Sequence, residues 1–246
     1  MFMEKHVRQK STFFGVLIMG LISMFGGACN QADAHGATAT LPEPATDLPA
    51  DANAKPGDTH EMVVAGGCFW CVEGFLGQLN GVQTATSGYA GGSKADATYH
   101  AVCNGDTGHA ESVRVTYDPS KITYGKILRV FFSIIDPTTK NRQGPDAGTQ
   151  YRSVIFYEND DQKKVAEAYI KQLDDAKIFP RPIVTTLEPL KPEAFYPAED
   201  YHQNYVACHL NNPYVQSVAI PKVEKVREKF KDMVKPPSTQ PVQQQE

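Results

Sequence analysis

The chain has 246 residues, 41% apolar and 21% charged, with a formal net charge of −4. That is enough for one domain with a sizeable core plus appendages. The balance is mildly acidic with no basic block beyond the N-terminus, which argues against nucleic-acid binding. The five cysteines, at positions 29, 68, 71, 103 and 208, are too few for a disulfide scaffold and suit a redox enzyme.

Lys5, His6, Arg8 and Lys10 form a positive n-region, and Phe13 to Phe25 is an apolar h-region too short to span a bilayer comfortably. Residues 1–34 therefore read as a bacterial-type export signal. Two cleavage sites compete. Gly26-Gly27-Ala28-Cys29 is similar to a lipobox, which puts a lipid on Cys29, although Gly26 stands where such boxes carry an aliphatic residue. Ala32-Asp33-Ala34 is an A-x-A pattern that releases a soluble protein. The expected location is a membrane-anchored lipoprotein facing the periplasm, or a soluble periplasmic protein. Residues 35–60 are mostly Ala, Thr, Pro and Asp and read as a disordered tether.

The folded domain is expected over 61–234. Met62 to Ala65 reads as a buried strand, and Val72, Phe75, Leu76 and Leu79 fall on one face of a helix over about 69–79. Gly66 and Gly67 make the turn between them, so Cys68 lands at the helix start. Free backbone N–H groups and the macrodipole there favour a thiolate, which predicts a lowered pKa and a nucleophile. Cys71 lies on the same face of the first turn. Phe69 and Trp70, beside the thiol, suggest a pocket for an apolar group. From this pattern redox or nucleophilic chemistry, a structural disulfide and a metal half-site all stay open.

Val82 to Tyr89 reads as a second strand, and 94–108 as loop or short helix broken by Gly105 and Gly108. Ala110 to Tyr117 alternates, with Glu111 on the same side as Val113, Val115 and Tyr117. A carboxyl group on a buried face has a raised pKa and suits a proton donor; at a strand end it can instead reach solvent. A helix follows over 124–135, a polar loop over 140–150, a strand over 151–157 and a helix over 161–174 capped by Asp160 or Asp161. A strand at 183–187 and a helix at about 222–234 complete the domain, and residues 235–246 read as a disordered tail. The alternation predicts an α/β (α+β) sandwich: a mixed sheet with helices packed on it, built on a split βαβ, ferredoxin-like core.

Four stretches carry a family resemblance: Gly67-Cys68-Phe69-Trp70; Tyr99 with Gly105-Asp106-Thr107-Gly108-His109-Ala110-Glu111; Asp146 to Ser153; and Ala198-Glu199-Asp200-Tyr201-His202-Gln203-Asn204-Tyr205. In this order, across 61–232, the chain resembles the A-type peptide methionine sulfoxide reductases. The resemblance implies reduction of the S epimer of methionine sulfoxide, free or in a polypeptide, with no metal or organic cofactor. Cys68 matches the attacking thiol, and Phe69 and Trp70 the walls that hold the sulfoxide methyl group. Glu111, Tyr99 and Tyr151 match the groups that protonate or hydrogen-bond the sulfoxide oxygen, and Asp146 an acidic residue supporting them. His202, Gln203, Tyr205 and His109 are expected to support the pocket and its turns, and Cys103 to be a small neutral residue.

A sulfoxide is a poor electrophile until its oxygen is protonated, so the site needs a thiolate and an acid together. Cys68 is then left as a sulfenic acid, which a second thiol closes to a disulfide and an external dithiol reopens. Related chains often carry that second thiol just after an Asn-Pro turn, where this chain has Val215 after Asn212-Pro213-Tyr214. Cys71 is the favoured replacement because it lies one turn from Cys68; Cys208, on a segment expected to be mobile, is the alternative. The implied partners are oxidised proteins and an exported thioredoxin-like donor, with a membrane tether through Cys29, and the expected state is a monomer. Competing readings are a general dithiol oxidoreductase using Cys68 and Cys71, a cysteine hydrolase pairing Cys68 with His202, and an exported metal-binding module.

Overall fold

The computed structural model describes residues 41–48 and 57–236, so the export signal, both cleavage sites with Cys29, and the tail beyond Pro236 lie outside the described residues. In chain order the elements are β1 (His60–Gly66), α1 (Phe69–Leu76), β2 (Val82–Ala90), α2 (Tyr99–Cys103), β3 (Ala110–Tyr117), α3 (Tyr124–Ile134), β4 (Arg142–Gln143) and β5 (Asp146–Ala147). They continue with β6 (Ser153–Tyr157), α4 (Asp160–Asp175), β7 (Thr186–Pro189), β8 (Tyr196–Pro197), α5 (Tyr205–Cys208) and α6 (Ile220–Lys229).

Six strands form one sheet in the order β7-β6-β1-β3-β2-β8. β1 runs antiparallel to both β3 and β6, and β6 pairs parallel with β7. The crossover from β1 through α1 to β2 leaves room for β3, and that from β3 through α3 to β6 leaves room for β1. These are the two split βαβ units of a ferredoxin-like core. Central placement explains why β1 is a continuous apolar run: Met62 to Ala65 are all fully buried. Met62, Val64, Val113, Val115 and Ile155 face the helices, while Val63, Ala65, Val154 and Phe156 meet a smaller cluster closed by Leu190 and Phe195.

Several boundaries differ from the sequence expectation. α4 is capped by Asn159, whose side chain accepts from the Gln162 N–H, one residue before the expected aspartates. The parallel edge strand β7 sits at 186–189, not 183–187. The last helix begins earlier than 222: a π-helical turn, Val215–Ala219, leads straight into α6. Pro221 has no N–H to give, and the wider turn accommodates the missing bond. Lys235 belongs to the fold, since its N–H donates to Gln78 O at 2.7 Å and its Nζ to Gly77 O at 2.9 Å.

The expected tether is corrected at 41–48, which lies against α3 and α4 as a strap. Leu41 is buried and Leu48 packs on the core. Arg129 donates to Leu41 O and to the Glu43 carboxylate, and Tyr169 donates to Pro42 O. Gln172 pairs with both Ala45 N and Glu43 O at 2.9 Å. Asp47 caps α3 from outside, accepting from the Thr123 hydroxyl and, at 2.8 Å, from the Gly125 N–H. A Cβ on Gly125 would stand 2.7 Å from that carboxylate, so a larger residue there would push Asp47 aside. The averaged composition of 35–60 hides two leucines and one well-placed acid. Asp47→Ala is expected to lower stability by about 1–2 kcal/mol, the usual cost of a lost helix cap, in denaturant unfolding of the full chain. A change below about 0.3 kcal/mol would show that the strap does not cap α3.

Glu73, on α1, is 4% exposed, and burial pushes its pKa up to about 7. Its Oε1 accepts from the Asn204 N–H at 2.8 Å, while Oε2 lies near Ser87 Oγ without a hydrogen bond of normal geometry. A carboxyl whose folded pKa is raised stabilises the fold at low pH and loses that contribution as pH rises through the folded value. Glu73→Gln should therefore match the wild type near pH 4.5 and exceed it by about 3 kcal/mol at pH 8. Equal slopes of melting temperature against pH from 5 to 8 would remove this account.

Candidate active site

The site is built where β1 ends. Gly67 has φ +90, and a Cβ there would stand 2.6 Å from Gln143 Cβ, so only glycine makes this turn. Gln143 is itself fixed, accepting from Asp136 N at 2.8 Å and donating to Asp136 O at 3.2 Å. Cys68 follows as the N-cap residue of α1, with its side chain 6% exposed. On one flank Gly66 pairs with Ser153; on the other Ala65 pairs with Ser112, which brings the start of β3 to the same place. The Phe69 N–H donates to Glu111 Oε2 at 3.0 Å. Glu111 is 2% exposed, and burial pushes it up to about 8, against that N–H and with help from Asp146 and Cys71. Its carboxyl is on the buried side, as strand parity allowed, and does not reach solvent at the strand end.

The expected low pKa of Cys68 is corrected. Burial pushes it well up, and Cys71 and Glu111 add to this; only the Tyr214 hydroxyl opposes. The first amide of α1 is taken by Glu111 and not by the thiol. Cys71 moves the other way, drawn to about 7 by the hydrogen bond from Cys68 and by the charge of Lys222, against its burial. The resting pair thus shares a proton, with Cys68 the thiol and Cys71 the readier thiolate. Both cysteines are free.

Tyr99, Tyr151 and Asp146 converge on the same point. Tyr99 opens α2, and its N–H donates to Glu199 Oε1 at 3.0 Å. The hydroxyls of Tyr99 and Tyr151 are raised above the ordinary phenol range, by burial first and then by Glu111, Cys68 and Cys103. Three groups near Cys68 are therefore protonated at neutral pH. Asp146, on β5, accepts from the Tyr214 hydroxyl at 2.7 Å, and that hydroxyl lies 3.8 Å from Cys71 Sγ. Tyr214 was not singled out from sequence; an aromatic after Asn212-Pro213 was its only local signal.

Phe69 is fully buried and Trp70 half-buried, as a wall beside Cys68. Trp70 is fixed on three sides. It stacks on Tyr205 at 3.7 Å and 6°, donates from Nε1 to His202 Nδ1 at 3.1 Å, and meets Tyr214 edge-on at 6.0 Å. Burial lowers the His202 pKa, so its ring is neutral, with the proton on Nε2, 4.0 Å from Glu199. Glu199 is held below the carboxylate range: burial opposes its charge, but the N–H of Tyr99 and the hydroxyl of Tyr89 at 2.8 Å outweigh it. Gln203 bridges Ser87 and Ala198, and His109 holds the Gly92 and Ser93 turn, both as supports.

The remaining candidates fall elsewhere. The segment carrying Cys208, expected to be mobile, is pinned: Asn204 is held by Glu73, Tyr205 by Trp70, and Val206 packs 3.2 Å from the Cβ position of Gly74. Cys103, expected to be a small neutral residue in the loop after Tyr99, is exposed at the end of α2 with its thiol on the Tyr99 hydroxyl. The ring nitrogens of His202 face Trp70 and Glu199, which leaves Cys68 without the base a hydrolase pair needs. Among the described residues no group of three or more His, Cys, Asp or Glu is arranged to hold a metal ion.

Comparison with known proteins agrees with this geometry. The family model described as peptide methionine sulfoxide reductase matches residues 60–234. The chain is 53% identical over 181 residues to peptide methionine sulfoxide reductase MsrA 2 of Mesorhizobium japonicum, covering 73% of this chain and 91% of that protein. It is 50% identical to the MsrA of Natronomonas pharaonis, covering 72% and 98%. Among solved structures, reduced Mxr1 from Saccharomyces cerevisiae is similar at 38% identity and a TM-score of 0.57, covering 68% of this chain and 92% of that one. Methionine sulfoxide reductase A of Corynebacterium diphtheriae follows at 32% identity and a TM-score of 0.53, covering 72% and 86%. With a buried thiol facing three protonated groups beside a fixed tryptophan, the chain belongs to the peptide methionine sulfoxide reductase family and is an oxidoreductase that reduces methionine sulfoxide.

Proposed function

We propose that the enzyme reduces the S epimer of methionine sulfoxide in exported proteins, with Cys68 as nucleophile and Glu111 as proton donor. The observation that carries this is the Glu111 carboxyl, buried, pushed up to about 8 and tied to the amide next to Cys68. Phe69 and Trp70 receive the methyl group, and Tyr99 and Tyr151 hydrogen-bond the sulfoxide oxygen. Cys68 Sγ bonds the sulfoxide sulfur as its own proton is lost and the oxygen takes the Glu111 proton. The sulfoxide S–O bond then breaks as the hydroxyl passes to Cys68 Sγ. The new S–S bond breaks, methionine leaves, and the proton lost from Cys68 restores Glu111. Cys68 then carries a sulfenic acid. Cys71 closes the disulfide, which its place one helical turn from Cys68 in the buried site supports. An external thioredoxin-like dithiol reopens it, and the enzyme works as a monomer. The general dithiol oxidoreductase reading gives Glu111 and the tyrosines no task.

Cys68→Ser is expected to abolish methionine formation while leaving the fold intact. Glu111→Gln keeps a hydrogen-bond donor but no transferable proton, so single-turnover reduction should slow by roughly 100-fold or more. Both are measured as methionine released from S- and R-sulfoxide peptides with dithiothreitol. An unchanged rate in Glu111→Gln would mean that Tyr99 and Tyr151 suffice; conversion of the R peptide at the S rate would remove the epimer assignment.

Export rests on the n-region, the h-region and the small residues that follow. We place the mature start at Cys29, lipidated, with the enzyme facing the periplasm. Mass spectrometry of the mature N-terminus is expected to find a lipid on Cys29; a chain beginning at His35 would replace the membrane tether with a soluble enzyme.

A further inference from the structure

Tyr214 stands between the thiols and a carboxylate. Its hydroxyl donates to Asp146 Oδ2 at 2.7 Å and lies 3.8 Å from Cys71 Sγ. With its proton directed at Asp146, the phenol oxygen is left to accept from the Cys71 S–H. The residue is held in place: its N–H donates to Asn212 Oδ1 at 2.9 Å, and its ring meets Trp70 edge-on. We propose that Tyr214 and Asp146 form a proton path that deprotonates Cys71 for attack on the Cys68 sulfenic acid. This rests on Cys71 being the resolving thiol.

In the resting pair the Cys68 thiol donates to Cys71 and favours its charge. Once Cys68 carries S–OH, that thiol donor is gone. The other groups facing Cys71 are Glu111 from β3, Asp146 from β5 and Lys222 from α6; Lys222 supplies charge that favours the thiolate. The step balances as follows. The Cys71 proton passes to Tyr214 Oη as the Tyr214 proton passes to Asp146. Cys71 Sγ attacks Cys68 Sγ, the S–S bond forms and the S–O bond breaks. The departing hydroxide takes the Glu111 proton and leaves as water, and both carboxyls re-equilibrate with solvent. Tyr214 is never a free phenolate, which its strongly raised pKa would forbid.

The test is a single turnover with methionine sulfoxide and no reductant, across about pH 6.5 to 9, in wild type, Tyr214→Phe and Asp146→Asn. Methionine, dimedone-trapped sulfenic acid and the mapped crosslink are followed together. In both variants the Cys68–Cys71 crosslink should form roughly 100-fold more slowly at about pH 6.5, far more than the methionine step slows. The deficit should close toward about pH 9, where solvent hydroxide ionises Cys71 directly. A crosslink at the wild-type rate overturns the proposal. So does equal slowing at every pH, which would be a packing effect, or equal slowing of both steps. Failure of the Cys71 reading looks different: the wild type would crosslink Cys68 to Cys208, or Cys71→Ser would fail to accumulate sulfenic acid.

Discussion

The hydrogen bond from the Phe69 N–H to Glu111 Oε2, at 3.0 Å and across 42 residues of sequence, is the constraint on which the site depends. It ties the start of α1 to the start of β3 and so fixes acid and thiol relative to each other. Burial keeps both the Cys68 thiol and the Glu111 carboxyl protonated, so the resting thiol and acid hold protons rather than charge. Since oxidation of cysteine follows thiolate character, a Cys68 kept neutral is protected from general oxidants until a sulfoxide is in place.

Two glutamates near the tyrosines show how the fold sets protonation. Glu111 is 2% exposed and receives one backbone donor, and it is pushed up to about 8. Glu199 has a side chain 35% exposed and two donors, Tyr89 and Tyr99, and it is held down. Solvent access and donor count decide which carboxyl carries a proton and which carries a charge. The charged one has a structural consequence: it joins β2 and α2 to the 196–205 segment, whose His202 and Tyr205 fix Trp70.

Local pattern made much of this legible. Met62 to Ala65 is unbroken and apolar because β1 is covered on both faces, and the parity of β3 put Glu111 inside. The two glycines placed Cys68 at a helix start. What pattern missed is long-range. Tyr214 meets Cys71 across 143 residues, and no periodicity predicts that meeting. The Cys68 pKa is set first by burial in the assembled core, with Cys71 and Glu111 from β3 adding to it. The pinned α5 follows from contacts with α1, not from propensity. The roles expected for Tyr99, Tyr151 and Asp146 came through family resemblance alone, since no periodic pattern around them points to the site.

The strap at 41–48 makes the folding unit larger than the family unit. The match to the family model begins at residue 60, yet the cap of α3 and the partners of Arg129 and Tyr169 come from upstream of it. A domain cut at the homology boundary would leave the first turn of α3 with an orphan amide and strip the cover from two helices. Both candidate maturation points, before Cys29 and before His35, fall upstream of Leu41. Cleavage at either point would leave the strap whole, so neither would alter the folding unit.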